Sequence, residues 1–176
     1  AIIDPIRDSS LYIKLLKDRK GTLKYIFETH FHADFVSGHL ALARLTKAKI
    51  VFGPNANTLY DVIVSKDKQE FTLGEVKIQA LHTPGHTLES TCYLLLSKNN
   101  FKEAVFTGDT LFIGEVGRPD LAVNPDLTSK DLAELLYNSL HNTLMKLPDH
   151  VVVYPGHGAG SACGKNISSE KTSTIG

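Results

Sequence analysis

The chain of 176 residues has only two cysteines, Cys92 and Cys163, too few for the disulfide framework that staples small secreted domains. No signal-peptide pattern opens it, so the expected setting is reducing and cytoplasmic. Charge of one sign is also lacking: nineteen Lys and Arg balance nineteen Asp and Glu. That balance leaves no basic stripe for nucleic acid and no polybasic segment for anionic lipid. Long apolar runs are missing too. The longest, Cys92 to Leu96, is five residues, against the ~20 needed to cross a bilayer. What remains is 42% hydrophobic and 22% charged, the balance of an ordinary folded domain. A chain of this size buries roughly 70% of its unfolded surface, enough for a real core.

Helix and strand signals alternate along the sequence. Asp8 or Ser9 can cap a helix carrying Leu11, Ile13, Leu15 and Leu16 that stops at Gly21. Leu23–Phe27 reads as a strand, Leu40–Leu45 as a short helix and Lys49–Phe52 as a strand ended by Gly53-Pro54. Glu70–Leu73, Val76–Leu81, Thr91–Leu96 and Ala104–Phe106 follow as strands joined by short polar turns. Leu132, Leu135, Leu136, Leu140, Leu144 and Leu147 recur near a 3.6 period, predicting one helix from Ser129 to Leu147. Val151–Tyr154 is a last buried strand, and 161–176 reads as a loop or linker tail behind a domain spanning 1–160. Ile2-Ile3-Asp4-Pro5 resembles the end of a buried strand, so upstream strands, and domains downstream, are expected outside this stretch.

The polar clusters matter most, because each follows a strand, where a rigid scaffold presents chemistry on loops. Six of the eight histidines lie in them: His30, His32, His39, His82, His86 and His157. In His30-Phe31-His32-Ala33-Asp34 the ligand types fall on alternate residues, hence on one side of an extended stretch. Imidazole and carboxylate donors suit zinc, iron, manganese or nickel. Burying three such groups without a metal would leave polar atoms unsatisfied. Thr83-Pro84-Gly85-His86-Thr87 forces a tight turn that aims His86 back over a strand end. Thr107-Gly108-Asp109-Thr110 sets a carboxylate after an apolar strand, and Tyr154-Pro155-Gly156-His157-Gly158 repeats the strand–turn–His arrangement.

From Ile2 through His157 the order T-H-x-H-x-D, H-T-P-G-H-T, T-G-D and P-G-H-G resembles the metallo-β-lactamase superfamily. The fold this implies is α+β, an αββα sandwich lacking its N-terminal strands, with a metal site at one edge of the two sheets. In dinuclear hydrolases of the superfamily the first zinc falls to His30, His32 and His86. The second falls to Asp34, the residue after it and His157, with Asp109 bridging. The residue after Asp34 is Phe35, so a second metal loses an imidazole. His39, four residues on, is a candidate substitute.

A narrower similarity is to persulfide dioxygenases of the bacterial rhodanese-fused type. It is carried by Glu28–Gly38, Gly108–Leu121 and Gly156–Lys165. It implies one Fe(II) per chain on His30, His86 and Asp109, with thiol persulfide and O₂ as substrates and rhodanese domains downstream. His32 then lies outside the first shell, orienting water or ligands together with Asp34 and His157, or serves as a structural hydrogen bond. Arg118 either holds a substrate carboxylate, steadies the loop of Asp109, or pairs with Asp120. Cys163 either relays sulfur at the pocket mouth or is a buried small hydrophobe, as Cys92 is expected to be. His141 and His150 read as surface residues. The expected activity is therefore persulfide oxidation to sulfite and thiol. The alternatives are a zinc thioester hydrolase of the hydroxyacylglutathione type and a non-catalytic metal-stabilised module.

Overall fold

The structure, a computed structural model, describes residues 1–164 and 166–176. Lys165, the last residue of one of the family-like stretches, lies outside the described residues. The first half forms β1 (Ile2–Ile3), α1 (Ser10–Asp18), β2 (Tyr25–Phe27), α2 (His39–Thr46), β3 (Lys49–Phe52) and β4 (Ile63–Val64). These strands make a parallel sheet in the order β1-β2-β3-β4. Parallel neighbours need crossovers; α1 supplies the one between β1 and β2 and α2 the one between β2 and β3, while a loop links β3 to β4. The second half forms β5 (Glu70–Leu73), β6 (Val76–His82), β7 (Thr91–Leu96), β8 (Lys102–Gly108), α3 (Ser129–Asn142), β9 (Val152–Pro155) and β10 (Ser173–Thr174). Its sheet runs β10-β9-β8-β7-β6-β5, an antiparallel meander from β5 to β8 to which β9 adds in parallel.

Strand alternation sorts the apolar residues into three layers of core. Phe27, Val51, Phe71, Ile78, Ala80 and Tyr93 face inward and meet between the sheets. Their β2 and β3 neighbours Ile26, Ile50 and Phe52 point the other way, onto Leu42 of α2 and Tyr12, Ile13 and Leu16 of α1. Leu81, Cys92, Leu94, Leu96 and Val105 cover the outer face of the second sheet against Leu140 and Leu144. The order is helix, sheet, sheet, helix, the αββα sandwich expected from the sequence.

Several boundaries differ from the periodicity reading, each for a local reason. The single helix expected to Leu147 ends at Asn142, and Leu144–Lys146 continues as a 3₁₀ turn that keeps Leu144 fully buried. β4 is two residues long and was not expected, since its pairing with Val51 and Phe52 leaves no alternating pattern to read. The tail 161–176 ends in β10, whose Ser173 and Thr174 pair with Val153 and Val152 of β9. Its sequence is polar because an edge strand needs few buried side chains.

α3 opens with a capping box: Asp131 N–H donates to Thr128 Oγ1 at 3.2 Å, and Thr128 N–H donates to Asp131 Oδ2 at 2.8 Å. Farther along, Ser139 Oγ donates to the carbonyl of Pro84 at 2.8 Å, tying the helix to the turn that carries His86. Thr128→Ala removes the cap and should cost about 1 kcal/mol. Urea denaturation checks this; an unchanged midpoint at unchanged slope would mean that the cap contributes nothing to global stability.

Candidate metal centre

Three strand ends and one turn bring the polar clusters to one edge of the sandwich. His30 follows β2, His86 lies in the turn between β6 and β7, Asp109 follows β8 and His157 follows β9. Gly85 adopts φ 144° and packs so closely on the backbone of Leu136 in α3 that a Cβ would collide with it. Gly117 lies as close to the carbonyl of Asp109, with His86 Cβ just beyond, so only glycine passes there.

At the centre, Asp109 Oδ2 is 3.8 Å from His30 Nε2 and 3.5 Å from His86 Nε2. Those separations are long for hydrogen bonds. They are close to the roughly 3.4 Å between two ligands of one tetrahedral zinc with ~2.1 Å bonds. The remaining hydrogen bonds leave the right lone pairs free. His86 Nδ1 lies 3.0 Å from the Arg118 carbonyl, which can only accept, so Nδ1 carries the proton and Nε2 the lone pair. Thr29 Oγ1 donates to Asp4 Oδ2 at 2.7 Å and therefore accepts from His30 Nδ1 at 3.0 Å. His30 Nε2 is again left with a lone pair facing the centre. Asp109 Oδ2, buried, has no hydrogen-bond partner. Two imidazole nitrogens and an orphaned carboxylate oxygen are a donor set that fits a divalent metal.

The electrostatics agree with that fit. Burial, with the charge of His32 behind it, pushes His30 down to about 4, so it is neutral near pH 7. Burial alone would raise Asp109, but the hydrogen bond from His157 and the charge of His30 hold it below its ordinary value. His157 Nδ1 lies 2.7 Å from Asp109 Oδ1 and its Nε2 lies 2.8 Å from Asp34 Oδ2. Clamped between carboxylates, and most strongly by Asp109, His157 is raised to about 9.

The other sequence candidates separate into distinct neighbourhoods. Asp34, His157 and Cys163 place one donor atom each within 4.8 Å of one another, and so do Asp4, Glu28 and His32. His32 Nε2 sits 3.0 Å from Asp4 Oδ1 and 3.6 Å from Glu28 Oε2, and Phe35 packs its ring 4.3 Å from the imidazole. Burial would lower His32, yet Asp4 and then Glu28 outweigh it and hold it raised. His39 does not substitute for the lost imidazole. Its Nδ1 is 3.4 Å from Glu28 Oε1 and its Nε2 is 2.9 Å from the Tyr60 hydroxyl, because α2 turns it into the layer beneath. His82 binds the carbonyl of Leu88 at 2.9 Å and braces the turn. Arg118 turns its guanidinium onto Asp120 in a two-bond pair at 2.8 Å, and it is its backbone carbonyl that reaches the centre. Cys163 is 7% exposed among Phe112 and Ile167, and its thiol is pushed up to about 11 by burial. Cys92 is fully buried in the core, as expected.

Sequence reading missed Asp4 and Glu28. Glu28 is 1% exposed, its acid raised by burial, and it binds Ser37 Oγ at 2.7 Å. The signal was present: a carboxylate directly after an apolar strand, the rule that singled out Asp109. Asp4 also adopts a left-handed φ of 46° and accepts from Thr29 N–H at 2.7 Å.

A metal-binding centre on an αββα frame defines a class that comparison with known proteins narrows. The model of the metallo-beta-lactamase superfamily matches residues 51–157. The chain is 38% identical over 162 residues to a probable hydroxyacylglutathione hydrolase, glo2, of Schizosaccharomyces pombe, covering 89% of this chain and 58% of that one. It is 30% identical to PksB of Bacillus subtilis, a probable polyketide biosynthesis zinc-dependent hydrolase, covering 94% and 70%. The crystal structure of ETHE1 from Myxococcus xanthus superposes with a TM-score of 0.79 at 32% identity, covering 98% of this chain and 68% of that one. The chain belongs to the metallo-β-lactamase superfamily. It spans little more than half the length of the first relative.

The expected iron persulfide dioxygenase activity is corrected by these relatives. Further curated relatives at 33–38% identity are also hydroxyacylglutathione hydrolases, which favours hydrolysis over sulfur oxidation. The ligand geometry did not favour oxidation either, since two imidazoles and a carboxylate accept zinc as readily as iron. Among the described residues, no helix is long and apolar enough to cross a membrane.

If Thr29 sets the His30 tautomer, Thr29→Val should weaken zinc binding by about 10–100-fold while the fold survives. Competition with a chelating dye measures this. Unchanged affinity would show that the Asp4–Thr29–His30 chain does not prepare the ligand.

Proposed function

We propose that this chain is a zinc-dependent hydrolase of thioesters of the hydroxyacylglutathione type, with His30, His86 and Asp109 as its metal ligands. The observation that carries the reading is the buried, partnerless Asp109 Oδ2 facing two imidazoles whose other nitrogens are already bonded. The names of the relatives supply the reaction class.

Zinc bound at such a site acts as a Lewis acid and makes water a nucleophile near neutral pH. The chain's own residues do the rest. Arg118 O and Thr29 Oγ1 keep the imidazole protons turned away from the centre. Gly117 lets the backbone approach Asp109 without a side chain in the way. A cleft of about 400 Å³ lies alongside, lined in part by Glu115, Gly117, Arg118, Pro119 and Ala162, and is the candidate seat of the thioester. Hydrolysis adds water across the C–S bond, the hydroxyl going to the acyl carbon and the proton to the departing sulfur. Two free cysteines suit the reducing cytoplasmic setting in which glutathione thioesters occur.

Zinc-loaded protein should cleave a hydroxyacylglutathione thioester, seen as loss of thioester absorbance, and chelation should stop it. Asp109→Asn should lower the rate by about 100-fold or more, at least the cost of losing an outer-shell partner. Cleavage no faster in the zinc-loaded native chain than in that variant would overturn the reading.

A further inference from the structure

We propose that Glu89 is a positioning residue for the metal centre. Its side chain, sent back from the turn that carries His86, fixes the backbone on which His30 stands and so sets the spacing of the two imidazoles. The inference deepens the hydrolase reading and rests on its assignment of His30 and His86 as ligands.

The need for such a residue arises where β2 ends. Its ladder with β3 closes at Glu28, whose N–H donates to the Val51 carbonyl at 2.9 Å. Beyond that point the chain leaves the first sheet, and the backbone groups of 29–31 must find other partners. Thr29 N–H turns to Asp4 Oδ1 at 2.7 Å. The next two bonds lead to one short segment at the head of β7. Thr91 N–H donates to the Thr29 carbonyl at 2.9 Å, and Phe31 N–H donates to Glu89 Oε1 at 2.9 Å. His30 is thus flanked by two bonds to the segment that follows His86 in sequence. The Glu89 oxygen stands where a ladder carbonyl would stand if the second sheet continued past its edge.

The segment can serve as a reference because it is itself held. Glu89 is 7% exposed, and its own carbonyl accepts from Thr91 Oγ1 at 3.0 Å. Asn55 Nδ2 donates to the Leu88 carbonyl at 3.4 Å. A Cβ on Gly53 would collide with the Glu89 carbonyl, so the chain leaving β3 packs directly on it. A fixed acceptor passes its position to the backbone it holds, and ligand sets tolerate errors of only about 0.5 Å. The imidazoles of His30 and His86 stand edge to face with centroids 5.0 Å apart. The Phe31 ring has its own anchor on Phe52, 4.8 Å between centroids. Loss of the Glu89 bond therefore frees the backbone beside His30 and leaves that packing in place.

Zinc affinity, measured on the whole chain by competition with a chelating dye, tests this without any turnover. Glu89→Ala should weaken binding by about tenfold, the lower end of the loss when a supporting partner is removed, and should shift the visible bands of the cobalt(II)-loaded chain. Glu89→Gln, which keeps an oxygen acceptor of the same reach, should restore both. Thr128→Ala serves as the control, lowering the urea midpoint while leaving zinc affinity native. A merely structural Glu89 would behave like that control, so native affinity in Glu89→Ala overturns the inference. Affinity as weak in Glu89→Gln as in Glu89→Ala overturns it too, since charge rather than the bond to Phe31 would then be at work. If Glu89→Ala fails to fold, Glu89→Asp takes its place: one methylene short, it should bind zinc as weakly, and native affinity there would be fatal to the idea. A native chain that binds neither zinc nor cobalt would overturn the ligand assignment itself, whereas the other failures leave the hydrolase reading standing.

Discussion

Asp109 sits past the end of β8 with its side chain 1% exposed, and its two oxygens face different neighbours. Taking a carboxylate out of water costs several kcal/mol unless charge or hydrogen bonds compensate. The rest of the edge is arranged around that requirement. His157 answers one oxygen, while His30 and His86 approach the other without bonding to it. The sandwich makes this possible, because β2 of one sheet and β8 and β9 of the other end on the same side.

The supporting contacts explain why the neighbouring sequence is so constrained. Gly85 can turn and pack on the backbone of α3 because it has no Cβ, and Ser139 holds Pro84 from the same helix. Gly117 passes the Asp109 carbonyl only for want of a Cβ. Beneath the metal centre, Asp4, Glu28 and His32 form a buried polar network with Ser37 and His39. Such a network is worth keeping only when most of its members are satisfied. In it Asp4 has two tasks, accepting from the Thr29 backbone and side chain and facing His32.

The motifs singled out His30, His86 and Asp109, which the fold brings together, but did not identify their chemistry. Imidazole and carboxylate donors are shared by zinc hydrolases and iron oxygenases, so the ligand set left the choice between hydrolysis and oxidation open. The relatives moved the assignment toward hydrolysis. Phe35, read as a lost ligand, has a place of its own as the wall over His32. His39, the substitute the sequence offered, belongs to Glu28 and Tyr60, since sequence distance does not say which face of a helix a residue occupies.

By itself the sequence determined the alternating strands, the sandwich and the strand-end positions of His30, His86, Asp109 and His157, because period and turn chemistry are local properties. It also made Arg118–Asp120 a candidate pair, being two residues apart. Only the tertiary structure decided which donors meet. Cys163 reaches Asp34 across more than a hundred residues, and the tautomers of His30 and His86 are fixed by Thr29 and by a carbonyl of the Arg118 segment. Those contacts depend on how two sheets are stacked and how loops return over their edge, and no periodicity within a segment encodes the partner it meets.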